Sequence, residues 1–148
     1  MKNSITIKHS ILIKRPREMV WDFTQDYSQR SKWDGSFLEA TELGTDPHRR
    51  VSVKLKGNQK MVFTYKLYDR PNKTSLGIQD IESKWIIGGG GSWKYHDQHG
   101  GTVWTQTNTL LFKPGLINFL WLPLFNMILK KQTRKSMKRA KIILEKTG

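Results

Sequence analysis

Phe125 to Leu144 reads FNMILKKQTRKSMKRAKIIL, and this stretch decides the fold. At about 100° per residue from Phe125, the residues Leu129, Ser136, Met137, Ala140, Ile143 and Leu144 fall on one side of a helix. Lys130, Lys131, Arg134, Lys135, Lys138 and Lys141 fall on the other. The spacing predicts a long amphipathic helix with a basic outer face. Such a stripe must be buried against another element, so the preceding chain has to supply an apolar surface.

Upstream of the helix, Lys113-Pro114-Gly115 stops a series of strand patterns. Thr102 to Phe112 is rich in β-branched residues, and Lys84 to Tyr95 holds four consecutive glycines, Gly88 to Gly91. Glycine inside a strand marks a bulge, a bend or the close approach of another group. Ser75 to Glu82 precedes it. Arg50 to Lys56 and Met61 to Leu67 alternate apolar and polar residues about a Gly57-Asn58 turn, which predicts a hairpin. Ser36 to Leu43 is a weaker strand candidate. At the start, Ile5, Ile7, His9, Ile11 and Ile13 alternate with Thr6, Lys8, Ser10, Leu12 and Lys14. Arg15-Pro16 ends that strand, and Met19, Val20 and Phe23 give a short helix one apolar side, with room for a second helical turn before Trp33. The predicted order is a strand, one or two short helices, about six strands and a long helix. That is an α+β chain: a curved antiparallel sheet of about six or seven strands around the C-terminal helix, a helix-grip fold in one domain over residues 1–148.

Composition narrows the chemistry. The chain has no cysteine, so disulfides and thiolate metal sites are excluded, and a reducing, cytoplasmic location is expected. The N-terminal alternation lacks the continuous apolar run of a signal peptide. Gly115 to Leu129 is too short to span a bilayer and contains Pro123. The net charge is +14, and half of it lies on the last 25 residues. A field of that sign favours anionic partners. His96 and His99 flank a turn without a carboxylate set, so no metal site is expected. There is no phosphate loop and no nucleophile motif. No cofactor is expected.

Four segments resemble the START-type superfamily, also called SRPBCC or Bet v 1-like, and within it the polyketide cyclase/dehydrase-like group. Ile11 to Phe23, ILIKRPREMVWDF, is similar to its opening strand, turn and helix. Asp26 with Trp33 resembles its D…W segment, and Tyr65 to Pro71, YKLYDRP, resembles a strand closing on DxP. Leu110 to Gly115, an apolar Leu/Pro stretch and then the basic helix resemble its ending. Two places depart from the pattern: Gly44 to Arg49 lacks a glycine pair, and the four-glycine run is atypical. The resemblance implies a cavity between sheet and helix that holds an apolar or amphipathic small molecule. It implies no particular activity, since carriers, cyclases and adaptors share the fold.

Strand parity proposes a lining. Val51, Val53 and Leu55 face inward because their neighbours are charged, as do Met61, Phe63, Tyr65 and Leu67. Leu76, Ile78 and Asp80 share one parity, and Trp93 and Tyr95 oppose Lys94 and His96. The expected ligand-binding set is His9, Val53, Leu55, Phe63, Tyr65, Ile78, Asp80, Trp93 and Tyr95. Most of the six tryptophans fall on positions suited to a core or cavity. Three functions remain open at this level. The first is ligand binding without catalysis. The second is cyclase- or dehydratase-type acid–base chemistry by Asp80, Tyr65 or His9. The third is docking of an anionic membrane or RNA on Lys131, Arg134 and Lys138, against which the basic face offers no exposed aromatic partner.

Overall fold

The computed structural model describes residues 3–147. Strand β1 (Ser4–Ile13) leads into helix α1 (Arg17–Gln25) and a 3-10 turn (Arg30–Lys32). Six strands follow: β2 (Phe37–Gly44), β3 (Arg50–Leu55), β4 (Gln59–Asp69), β5 (Lys73–Glu82), β6 (Ile86–Gln98) and β7 (Gly101–Phe112). Helix α2 (Leu116–Lys146) closes the chain. The sheet runs in the order β1-β7-β6-β5-β4-β3-β2, every neighbouring pair antiparallel. This is the helix-grip architecture that the alternating strands and final amphipathic helix predict.

The inward stripe of α2 is the predicted one. Ser136, Met137, Ala140 and Leu144 are buried, while Lys131, Arg134, Lys135 and Lys138 are exposed. Pro123 does not end the helix, although it offers no N–H to the Phe119 carbonyl four residues back. Two apolar cores lie under α2. One joins Ile5, Ile7, Val51, Val53, Met61 and Phe112 with Leu122, Phe125 and Leu129 of the helix. The other is aromatic: Trp21, Trp33, Trp93, Tyr95 and Trp104 meet at ring-centroid separations of 5.0–6.3 Å.

Period-two parity breaks where the pairing slips. Between Lys60↔Glu82 and Val62↔Gln79, β5 spends one residue more than β4. Asp80 sits in that bulge at φ 49°, and it is exposed rather than inward-facing. Ile81 turns toward the core in its place. A second slip between Tyr65 and Leu67 turns Leu67 outward, to 42% exposure. Both corrections have the same cause, an unpaired residue that rotates the following side chains to the other face.

The glycine run lets β6 bend tightly under its neighbours. A Cβ on Gly90 would lie 2.7 Å from the Leu76 carbonyl oxygen. On Gly89, at φ 151°, it would lie 2.3 Å from that of Thr109. Only glycine allows this approach of three strands.

Candidate ligand cavity

Between the sheet and α2 lies a cavity of about 290 Å³, near the lower end of the range of small-molecule sites. Its walls are mostly apolar. β1 contributes Ile5 and Ile7, β3 and β4 contribute Leu55, Met61 and Phe63, and β5 contributes Leu76 and Ile78. Leu129, Gln132, Thr133 and Ser136 of α2 form the roof. Gly90 and Gly91 present bare backbone to the space, so the residues that permit the bend in β6 also leave room there.

One end is polar. The 3-10 turn delivers Arg30, whose Nε donates to Asp34 Oδ2 at 2.8 Å in a pair largely removed from water. Asp34 is also fixed by Ser36, whose backbone N–H and hydroxyl both donate to Oδ1. Burial pushes the Asp34 carboxyl up, but Arg30 and Ser36 outweigh it and hold it below the ordinary carboxylate value. The Arg30 guanidinium also sits 4.8–5.2 Å from the ring centroids of Trp93, Trp33 and Tyr27. Aromatic faces and a single carboxylate thus hold the cation. Nearby, the Tyr27 and Tyr65 hydroxyls share a hydrogen bond at 2.6 Å. Burial and Tyr27 push the Tyr65 phenol well above its ordinary value, so it stays protonated. Trp93 Nε1 donates to Asn108 Oδ1, and Asn108 Nδ2 to Gln106 Oε1, which orients the amides along the wall. The buried Trp33 Nε1 has no partner among the described residues.

Of the nine residues that parity and the family resemblance propose, five line this cavity: Leu55, Phe63, Tyr65, Ile78 and Trp93. Four do not. Val53 has the predicted parity but is packed into the core at 1% exposure. Tyr95 also points inward, but the aromatic core encloses it, and its hydroxyl is bonded to Thr24 and Gln25 of α1. Asp80 is carried outward by its bulge. His9 is half-buried on β1 opposite Gln106, outside the lining; burial and nearby Arg134 lower its pKa. The three candidates for acid–base work are therefore not assembled, since only Tyr65 reaches the cavity. Sequence reading missed Arg30 and Asp34. Their i, i+4 spacing beside Trp33 was a visible signal, but a charged pair in a short turn ordinarily lies on the surface. Among the described residues, no group of three or more His, Asp or Glu is placed to hold a metal ion.

Residues 4–145 match the family described as polyketide cyclase / dehydrase and lipid transport. The chain belongs to that family. Solved structures with the same fold include a conserved protein from Geobacillus kaustophilus, at 17% identity and a TM-score of 0.80, covering 97% of each chain. A START superfamily protein from Mycobacterium smegmatis matches at 9% identity and a TM-score of 0.77, over 97% of this chain and 99% of that one. The Zhui aromatase/cyclase from Streptomyces sp. R1128 matches at 10% identity and a TM-score of 0.79, over 96% and 94%. At these identities the likeness is one of fold. No curated protein matches the chain. Among the described residues, no helix of this family member is long and apolar enough to cross a membrane.

Proposed function

We propose that the protein binds an amphipathic small molecule, its apolar body against Phe63, Ile78 and Leu129 and an oxygen acceptor at Arg30. The observation that carries this reading is the polar end of an otherwise apolar cavity, where Arg30, paired through Nε with Asp34, lines the wall. An apolar cavity with a guanidinium in its wall rewards a ligand that supplies an acceptor, because a hydrogen bond to a charged donor is stronger than one between neutral groups. Asp34 neutralises much of the Arg30 charge. The fitting group is therefore a carbonyl, phenol or single acid oxygen rather than a multiply charged headgroup. The apolar remainder gains roughly 25 cal/mol for each Å² it removes from water. The family description, which joins cyclases with lipid transport, accords with such a ligand.

Native mass spectrometry of freshly purified protein, with extraction of any bound species, tests the reading, together with titration by 1-anilinonaphthalene-8-sulfonate. Stoichiometric bound mass or saturable probe fluorescence is expected. Phe63→Ala should weaken the probe on the order of tenfold by removing apolar contact. Arg30→Met/Asp34→Leu, which leaves neither charge without its partner, should weaken it comparably. A ligand-free mass together with no probe binding overturns the proposal.

A further inference from the structure

The exposed side of α2 changes character along its length. Ile117, Leu120, Trp121, Leu124, Met127 and Ile128 lie within an arc of about 120° around the helix, and each is 39–70% exposed. The inward stripe of the same turns is taken by Leu122, Phe125 and Leu129, so these six are left uncovered by the fold. Further along that arc come Lys131, Lys135 and Lys138, all exposed. No acid occurs in α2 before Glu145. The expectation that the basic face lacks an exposed aromatic is therefore corrected, since Trp121 is 49% exposed and shares its arc.

A water-soluble surface rarely keeps so many large apolar side chains together without a partner. We propose that this arc of α2 docks the protein on an anionic lipid bilayer. The helix would lie in the interface plane with the six apolar side chains at the acyl boundary and the lysines against acidic headgroups. Charge complementarity selects this occupant, because the lysines continue the apolar arc without an intervening acid and the chain carries +14. The residue types fit as well: a convex helix with aliphatic residues, an indole suited to headgroup depth, and lysines alongside is the pattern of an interfacial helix. The helix also supplies Leu129, Gln132, Thr133 and Ser136 to the cavity, so docking sets one cavity wall directly above the membrane. This inference stands on the outer face of α2 and does not require the cavity to be occupied.

Co-sedimentation of the full chain tests it, using phosphatidylcholine vesicles and vesicles of phosphatidylcholine and phosphatidylglycerol in equal amounts. Binding to the mixed vesicles at low salt is expected, with loss at high salt and a blue shift of tryptophan emission. The double variant Leu120→Asp/Trp121→Ala should bind ~tenfold more weakly or worse. Lys131→Glu/Lys135→Glu/Lys138→Glu should abolish binding to the mixed vesicles. These side chains are exposed, and an unchanged near-UV circular dichroism spectrum reports that the fold is kept. Three results overturn the proposal: no sedimentation of the parent chain, equal binding by both variants, or a concentration-dependent dimer that the Leu120→Asp/Trp121→Ala variant abolishes.

Discussion

Arg30 and Asp34 illustrate how two charges survive at the edge of a cavity. The carboxylate makes three hydrogen bonds, and the guanidinium is flanked by three rings. Removing one partner leaves a buried charge, so Asp34→Ala should cost about 3–5 kcal/mol in urea unfolding. The double replacement Arg30→Met/Asp34→Leu should recover much of that, because two apolar groups need no compensation. If the double variant is no more stable than the single one, this account of the pair is wrong. His9 makes a prediction of opposite chemical sense. Burial and Arg134 lower its pKa, so the folded state favours the neutral ring. The unfolded chain then binds more protons, and stability should decline as pH falls through the ordinary histidine value of about 6.5. Between pH ~7 and ~5 the His9→Gln variant should lose less stability than the parent, as thermal melts at several pH values can measure.

At the scale of the element, β6 and α2 each contain a residue that opposes their regular geometry. Gly90 faces the Leu76 carbonyl across β5, and a methyl group there cannot be relieved by turning a side chain. Gly90→Ala should lower the melting temperature substantially, whereas Gly35→Ala should do so far less, its Cβ coming no nearer than 3.4 Å to the end of the flexible Arg139 side chain. Pro123 denies α2 one backbone hydrogen bond, so Pro123→Ala should stabilise the protein by about 2 kcal/mol. An unchanged unfolding midpoint would show that the helix already compensates at Phe119. The same elements set how much could be read from sequence. Alternation along β1, β3 and the first half of β4 gives both the strand and its inward face, because at every slip beside them the extra residue belongs to the neighbouring strand. It fails at Asp80 and Leu67, where a single unpaired residue reverses the faces, and no residue type announces those bulges. Nor does parity separate a cavity wall from a packed core: Val53 and Phe63 both point inward, but only Phe63 reaches open space. That difference depends on side chains from other elements; on α2 the inward stripe and the lysines were legible, whereas the exposed apolar arc from Ile117 to Ile128 was not.

In the whole molecule, the last turns of α2 are held to the end of β1. The Lys14 backbone N–H donates to Glu145 Oε2 at 2.9 Å, Arg15 Nη2 donates to the Glu145 carbonyl at 2.6 Å, and Lys141 Nζ donates to the Leu12 carbonyl at 2.5 Å. β1 lies at the edge of the sheet and pairs with β7, from Ser4↔Leu111 to Ile13↔Thr102. That pairing has a consequence for the protein as it is being made. The isoleucine-rich first strand leaves the ribosome long before its partner exists. At the usual pace of synthesis it waits on the order of 5–20 s. Throughout that interval, one face of Ile5, Ile7, Ile11 and Ile13 stays available to chaperones or to a neighbouring nascent chain. Chains stalled before Thr102 should therefore be cut by protease within β1, and chains released after Phe112 and α2 should resist. Protection of β1 in the stalled chains would mean that another segment shelters the strand until β7 arrives.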